Sequence, residues 1–221
     1  MSSATLHTIT VPRTARYATL GTPETASDWW IVLHGYGQRA TDFLDAFAPI
    51  ATDTRCIVAP EALSRFYVDG MAEHERVGAS WMTRVAREDE VGDYVRYLDA
   101  VFTQLQNREN AAPSQRTVLG FSQGAATASR WCAYGNASID RLILWGGTLA
   151  HDVDLAEHAS TFASLSLAVV IGSDDPYITD ARRSAVLDRL AAHDLSVDTH
   201  TFAGGHRLDR DVLRRLADAS F

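Results

Sequence analysis

The chain alternates between short runs of consecutive apolar residues and longer segments in which apolar residues recur every three or four positions. Strands buried on both faces read as continuous apolar runs, which is typical of a parallel sheet covered by helices. Such runs predict strands at residues 29–33, 56–59, 116–119, 142–145 and 167–171. The alternating segment 196–202 predicts a final strand. Segments 8–11 and 16–20 predict an antiparallel pair at the edge of the sheet.

Three segments between these runs have the spacing of amphipathic helices. The first has one apolar face, formed by Val91, Val95, Leu98, Phe102 and Leu105. The second begins at the capping residue Thr179, and the third begins just after His206. Strands that alternate with helices predict an α/β fold with a doubly wound, mostly parallel sheet and helices on both faces. Such sheets bind their ligands at the carboxyl ends of the strands.

One long segment, residues 61–89, interrupts this alternation. Long loops within a compact domain are often functional, so we expect a loop or cap near the ligand site, with an extra surface helix as the alternative. Four of its aromatic and apolar residues predict a substrate pocket: Phe66, Tyr67, Trp81 and Met82. No repeat, low-complexity tract or linker divides the chain, so residues 1–221 are expected to form a single α/β domain.

The most informative short motif is Gly-Phe-Ser-Gln-Gly at positions 120–124. It follows an apolar strand-like run and precedes an alanine-rich segment that suits a helix. A serine between glycines at this junction is typical of a nucleophile elbow, in which small neighbours avoid collisions across a sharp turn. Ser122 is therefore the candidate nucleophile. The alternative is a glycine-bounded turn whose serine has no chemical role.

A serine nucleophile requires a base, and the base requires an acid that orients it. In this motif's usual chain order the acid follows the serine and the histidine comes last. Asp175, which follows a predicted strand and precedes a stiffening proline, is the preferred acid. Asp174 is the second choice, and Asp152 and Asp154 are weaker candidates. His206 lies on a glycine-rich loop after the last predicted strand and is the candidate base.

Negative charge that develops on a reacting oxygen needs hydrogen-bond donors. Leu-His-Gly-Tyr-Gly at positions 33–37 directly follows a predicted strand, where such a donor is expected. We expect the backbone amides of Tyr36 and Gln123 to form this oxyanion hole, the second one at a helix N-terminus. His34 is expected to brace the loop and not to transfer protons.

Composition narrows the remaining chemistry. The net charge of −8 argues against nucleic acid as a partner. All 20 basic residues are arginines, which excludes mechanisms that need a lysine of this chain, such as a Schiff base or a Ser-Lys dyad. This lysine-free, acidic composition fits either a high-salt cytoplasm or a genome that favours arginine codons. No metal-binding His-Glu-x-x-His motif occurs.

The apolar runs are too short to span a bilayer, so we expect no integral membrane association. Residues 1–16 contain no continuous apolar segment of the kind that a secretory signal requires. The sequence therefore predicts a cytoplasmic protein.

Taken together, these motifs resemble the phospholipase/carboxylesterase family of α/β-hydrolases, which includes the acyl-protein thioesterases. The motifs span nearly the whole chain in the family's order and are 33–37, 120–124, Gly172-x-x-Asp175 and Gly205-His206. The resemblance implies a serine esterase that uses Ser122, Asp175 and His206 on a small-molecule ester, without a metal or organic cofactor. The chain departs from the family's usual pattern at Gln38, Ala125 and 175–178, which limits what the resemblance implies about substrate preference.

Three hypotheses follow from these residues. The first is a carboxylesterase that hydrolyses small to medium esters through an acyl-enzyme. The second keeps the same site but assigns it to a thioesterase, a lysophospholipase or an acyltransferase. The third, from a different class, is a ligand-binding relative without turnover. The oligomeric state is left open by all three.

Overall fold

The computed structural model describes residues 3–70, 74–108 and 113–219, which contain both strands and helices. The strands are β1 (Tyr17–Leu20), β2 (Asp28–Leu33), β3 (Arg55–Pro60), β4 (Ser64–Tyr67), β5 (Val77–Ser80), β6 (Gln115–Phe121), β7 (Arg141–Trp145), β8 (Ser166–Gly172) and β9 (Asp198–Phe202). The α-helices are α1 (Ala40–Leu44), α2 (Arg87–Gln106), α3 (Gln123–Tyr134), α4 (Ala159–Ala163), α5 (Asp180–Ala191) and α6 (Arg210–Asp218). A 3₁₀ helix, Asp45–Ile50, follows α1.

The central sheet has seven strands in the order β1-β3-β2-β6-β7-β8-β9. β1 runs antiparallel to β3, and every other neighbouring pair in this sheet is parallel. Leu33 at the end of β2 pairs with Gly120 near the end of β6, and Gly172 at the end of β8 pairs with Phe202 at the end of β9. The segments that leave these strands therefore start beside one another at the carboxyl edge of the sheet.

Both faces of the sheet are buried, which explains the continuous apolar runs. In β2, Trp29, Ile31 and Leu33 pack into a core that includes side chains of α2, α3, α4 and α5. Trp30 and Val32 point to the other face and pack with side chains of α1, the 3₁₀ helix and α6. The predicted α/β architecture is confirmed, with a mostly parallel sheet and helices on both of its faces.

The three predicted helices correspond to α2, α5 and α6. The hydroxyl oxygen of Thr179 accepts a hydrogen bond from the Arg182 amide, so the predicted cap of α5 is confirmed. None of the helices among the described residues combines the length and the apolarity needed to cross a bilayer.

The predicted strand at residues 8–11 is wrong. This segment has no regular secondary structure, and the antiparallel partner of β1 is β3. Ile9 and Val11 are 86% and 65% exposed, so no packing contact fixes the segment as a strand.

The segment 61–89 does not form the alternative surface helix but contains an antiparallel hairpin of β4 and β5 before α2 begins. Within it, residues 71–73 lie outside the described residues. The hairpin forms its own two-stranded sheet and contacts the loop that follows β2.

Candidate active site

Ser122 lies at a sharp turn between β6 and α3. Its backbone has φ 55° and ψ −115°, a conformation that costs a non-glycine residue on the order of 1–3 kcal/mol. The turn is possible because its neighbours are glycines. A Cβ at Gly120 would lie 2.2 Å from the Gly124 carbonyl oxygen, and a Cβ at Gly124 would lie 2.1 Å from the Leu33 carbonyl oxygen. The local sequence thus dictates the geometry of the turn, and the turn holds the Ser122 side chain at the edge of the sheet.

His206 joins Ser122 to Asp175. Its Nε2 lies 2.8 Å from the Ser122 Oγ, and its Nδ1 lies 2.7 Å from the Asp175 Oδ2. The carboxylate only accepts hydrogen bonds, so Nδ1 carries the proton and Nε2 is free to accept from the serine hydroxyl. The sheet topology explains why the Asp175 and His206 side chains lie close together, because Asp175 follows β8 and His206 follows the adjacent strand β9.

Asp175 is held in a fixed orientation. Its side chain is buried, and its Oδ1 accepts hydrogen bonds from the amides of Tyr177 and Ile178 at 2.9 and 3.2 Å. Because these bonds occupy Oδ1, the other oxygen is directed at the histidine ring.

The other carboxylates that the sequence offered have different partners. Asp174 is exposed and accepts a hydrogen bond from the Ser173 hydroxyl. Asp152 pairs with Arg130 and Arg87, and Asp154 accepts hydrogen bonds from backbone amides of its own turn. Of the four carboxylates considered, Asp175 is the one that contacts His206.

Two aromatic rings flank His206. The ring of Phe121 lies 4.9 Å from the imidazole centroid, and the ring of Tyr177 lies 4.7 Å away in an edge contact. Phe121 is buried, whereas Tyr177 is 61% exposed and therefore presents apolar surface beside the imidazole. Tyr177 is not among the predicted site residues, although its position two residues after Asp175 was an available signal.

The loop after β2 approaches the serine closely. A Cβ at Gly35 would lie 3.2 Å from the Ser122 Cβ. Among the described residues, no backbone carbonyl accepts a hydrogen bond from the Tyr36 amide. Gln123 is the first residue of α3, so its backbone amide has no hydrogen-bond acceptor within the helix. The two amides predicted as an oxyanion hole thus lie on the two segments that adjoin Ser122.

His34 supports this loop from inside the protein. It is fully buried, and burial lowers the pKa of its imidazole, so the ring is neutral. Its Nδ1 donates to the Gly35 carbonyl oxygen at 2.7 Å, while its Nε2 accepts from the Ala62 amide at 3.1 Å. Both ring nitrogens are occupied, which agrees with the expected bracing role.

The four predicted pocket residues have different surroundings. Phe66 packs against the Tyr36 ring at 5.1 Å, whereas Tyr67 stacks on His74 near the far end of the hairpin. Trp81 is 2% exposed and donates from its indole to the His34 carbonyl oxygen at 2.8 Å. Trp81 is therefore a core residue beneath the site, a correction that follows from its need to satisfy a buried indole nitrogen.

Met82 bonds to the serine turn through its backbone. Its carbonyl oxygen accepts a hydrogen bond from the Gln123 side chain at 2.9 Å. Its sulfur lies 3.3 Å from a guanidinium nitrogen of the buried Arg130. The Phe66 ring reaches the loop that follows β2 through its contact with Tyr36.

Comparisons with known proteins support the architecture. Esterase PE8 has a similar structure at 21% sequence identity, with a TM-score of 0.69, and the match covers 93% of this chain and 97% of that one. A carboxylesterase from Mesorhizobium loti gives 19% identity and a TM-score of 0.69 over 93% and 95% of the two chains. Acyl-protein thioesterase 2 from Zea mays gives 16% identity and a TM-score of 0.69 over 92% and 96%. At these identities the likeness shows a shared fold.

No curated protein has a significantly similar sequence. The family model described as Phospholipase/Carboxylesterase, however, matches residues 21–219, which includes every residue of the site described above. The chain therefore belongs to the phospholipase/carboxylesterase family of α/β-hydrolases.

Proposed function

We propose that this chain is a serine carboxylesterase that hydrolyses small to medium carboxylic esters through Ser122, His206 and Asp175. The observation that carries the proposal is the engagement of both His206 nitrogens, with the serine hydroxyl on one side and a buried carboxylate on the other. This is the arrangement that converts a weakly nucleophilic alcohol into a reactive one. Membership in an esterase family supports the same reaction class.

In the acylation step the Ser122 Oγ attacks the carbonyl carbon of the ester. The hydroxyl proton moves to His206 Nε2 as the oxygen–carbon bond forms, and Asp175 stabilises the resulting imidazolium. The bond from carbon to the leaving alcohol then breaks, and the proton passes from Nε2 to the departing oxygen. The products are a free alcohol and an acyl-serine ester.

In the deacylation step water attacks the acyl-serine. His206 takes a proton from the water and returns it to the Ser122 oxygen, which releases the carboxylic acid and restores the site. Both steps pass through a tetrahedral intermediate with a negatively charged oxygen. The amides of Tyr36 and Gln123 are the proposed donors to that oxygen, and the loss of one such donor typically costs about 100- to 1000-fold in kcat.

Hydrolysis of p-nitrophenyl acetate tests the proposal. A rapid release of p-nitrophenol close to one equivalent of protein, followed by steady turnover, is the expected result for an acyl-enzyme that water hydrolyses. Binding of the ester without release of p-nitrophenol would instead identify a ligand-binding relative. The Ser122→Ala variant serves as the blank for spontaneous hydrolysis.

Two further assays separate the activities that share this site. Added alcohols divert the acyl group to a new ester if the chain is an acyltransferase, whereas a hydrolase yields mainly free acid. A panel of matched oxygen esters and thioesters of graded acyl length distinguishes a carboxylesterase from a thioesterase. We expect higher kcat/KM for short and medium oxygen esters.

A further inference from the structure

We infer that the β4–β5 hairpin sets the positions of both oxyanion-hole amides, and that Gln123 and Gly78 are the positioning residues through which it acts. This inference rests on the proposed function, because it assigns a role to the surroundings of the same site. It adds to that function two groups that take no part in bond making: the carboxamide side chain of Gln123 and a glycine in a hairpin outside the main sheet. The inference rests on the contacts of β5 and of the next two residues, Trp81 and Met82.

The Gln123 side chain bonds the serine turn to the end of the hairpin. Its Oε1 accepts a hydrogen bond from the Trp81 amide at 3.1 Å. Its Nε2 donates to the Met82 carbonyl oxygen at 2.9 Å and lies 3.1 Å from the Ser80 Oγ. The Ser80 hydroxyl in turn donates to the Met82 carbonyl oxygen at 3.0 Å. A side chain bonded at both ends of its carboxamide fixes its own residue, so the backbone amide of Gln123 is fixed as well.

The loop that carries Tyr36 bonds to the same strand. The Gly37 amide donates to the Ala79 carbonyl oxygen at 2.9 Å, and the Ala79 amide donates to the Gln38 carbonyl oxygen at 3.1 Å. Residues 37 and 38 thus pair with β5 as a short antiparallel bridge. The Gln38 side chain closes the turn, because its Oε1 accepts from the Gly35 amide at 2.8 Å. The residues on either side of Tyr36 are therefore hydrogen-bonded to the hairpin or to each other, which restricts the position of the Tyr36 amide.

Gly78 allows the hairpin to come this close. A Cβ at this position would lie 2.4 Å from the Gly37 carbonyl oxygen and 2.6 Å from a methyl carbon of Val68. The first of these atoms belongs to the backbone and cannot rotate away. Any side chain at residue 78 would therefore push β5 away from the loop and displace the residue next to Tyr36.

Both amides thus depend on one strand. Neither is fixed by the seven-stranded sheet alone, because Tyr36 lies beyond the end of β2 and Gln123 lies beyond the end of β6. Misplacement of a catalytic group by about 1 Å costs on the order of 100-fold in rate. Loosening the hairpin should consequently weaken stabilisation of the charged oxygen while leaving the Ser122–His206–Asp175 contacts in place.

Two variants test this inference. Gln123→Met keeps the length of the side chain but removes its hydrogen bonds, and Gly78→Ala adds only a methyl group against the Gly37 carbonyl. The matched controls are Gln104→Met on the exposed face of α2 and Gly92→Ala within the same helix, where the added methyl meets only the flexible end of Arg96. We expect each test variant to lower kcat by about 10- to 100-fold with little change in KM, and each control to leave both unchanged.

The decisive readout is inhibition by a trifluoromethyl ketone, which forms a charged tetrahedral adduct, compared with inhibition by the product alcohol, which carries no charged oxygen. Positioning of the oxyanion hole predicts that the test variants lose affinity for the ketone by the same factor as kcat, and keep their affinity for the alcohol. Variants that melt at lower temperature but retain wild-type kcat and ketone affinity would overturn the inference. Equal losses for both inhibitors would overturn it too.

A third variant guards against misfolding. If Gln123→Met does not fold, Ser80→Ala removes one contact of the same carboxamide and is judged by the same two inhibitors, with an expected loss of about three- to tenfold in kcat. Failure of the proposed function is recognised separately, because wild-type protein would then show no p-nitrophenol burst. A wild-type burst combined with unaffected Gln123→Met, Gly78→Ala or Ser80→Ala enzyme contradicts the hairpin's role alone.

Discussion

The two sides of the candidate site are built in different ways. On one side, Ser122, Asp175 and His206 leave the carboxyl ends of β6, β8 and β9, all within one parallel sheet. On the other side, the proposed oxyanion donors Tyr36 and Gln123 are bonded through their surroundings to the β4–β5 hairpin, which lies outside that sheet. The three side chains depend on strand order, whereas the two amides depend on contacts between distant parts of the chain.

Because the two sides are built differently, we expect the proposed reaction to be impaired in two distinguishable ways. In the proposed mechanism, a change among the three side chains removes a reacting or orienting group, and we expect the fold to stay intact. A change in the hairpin is expected to leave those groups in place but to shift the donors proposed to stabilise the intermediate. The variants below test this distinction in decreasing order of their effect on turnover.

Replacement of the nucleophile should have the largest effect. Ser122→Ala removes the atom that forms the acyl-enzyme, and we expect kcat to fall on the order of a millionfold. Steady-state hydrolysis of p-nitrophenyl acetate measures the loss, and circular dichroism checks the fold. Ser173→Ala, which changes an exposed serine just after β8, is the matched control and should retain wild-type turnover. Substantial activity in Ser122→Ala would show that the chemistry lies elsewhere.

Asp175→Asn should have the next largest effect. The asparagine oxygen can still accept from the Tyr177 and Ile178 amides, so the loop keeps its shape. Its NH₂ group, however, would donate to His206 Nδ1 and shift the ring proton to Nε2, where it blocks acceptance from the serine. We expect kcat to fall by about 10⁴-fold. Asp174→Asn is the control, and a similar loss there would contradict the choice of acid.

The geometry of this first side was largely predictable from the sequence. Short apolar strands, glycines at 120 and 124, and chain order select Ser122, Asp175 and His206, because turn sterics and sheet topology are encoded locally. The hairpin was not predictable in the same way. Its pairing joins β5 to residues 37–38, which are about 40 residues away in sequence, and no local pattern encodes that contact.

Individual residues show the same limit. Trp81 can be buried because the His34 carbonyl oxygen accepts a hydrogen bond from its indole. The hydrogen bonds of the Gln123 carboxamide likewise require the backbone groups of residues 81 and 82. An aromatic residue in a charged segment gives the same sequence pattern whether its side chain faces a ligand or the core. The pattern alone therefore does not distinguish a pocket residue from a core residue. The predicted strand at residues 8–11 is absent for the opposite reason, because its apolar side chains are exposed and do not pack into the core.

Tyr177→Ala should have a moderate effect. The ring offers exposed apolar surface beside His206, and contacts of this kind contribute about 0.5–1.5 kcal/mol. We therefore expect KM for aryl esters to rise by about three- to tenfold, with a smaller change for short alkyl esters. Tyr134→Ala is a matched control, because Tyr134 makes a similar edge contact with His158 away from the site. Equal effects on aryl and alkyl esters would argue against contact with the substrate.

The smallest effect on turnover is expected at Asp152, which supports the hairpin side through Arg130 and Met82. Burial acts to raise the pKa of Asp152, but hydrogen bonds and charge from Arg130 and Arg87 outweigh it and lower the pKa well below its usual range. The stabilisation of the folded protein by the Asp152 carboxylate is therefore complete above the unfolded-state pKa of about 4. It is lost as the pH falls towards the pKa of Asp152 in the folded state.

Denaturant unfolding from pH 7 to pH 2 tests this prediction. Asp152→Asn leaves the charge of buried Arg130 poorly compensated, and we expect a destabilisation of about 3 kcal/mol at pH 7. The difference from wild type should narrow below about pH 4 as the wild-type carboxylate becomes protonated. Asp93→Asn, at an exposed ion pair on α2, is the control. A difference that stays constant with pH would contradict the assigned ion pairs.

Covalent labelling asks whether His206 and Asp175 make the Ser122 hydroxyl reactive. The protein is treated with a fluorophosphonate and digested, and the modified peptide is identified by mass spectrometry. We expect one adduct, on Ser122, that forms at a much lower rate in Asp175→Asn. Modification of another serine, such as Ser80 or Ser173, or undiminished labelling of Ser122→Ala protein, would show that Ser122 is not the activated nucleophile.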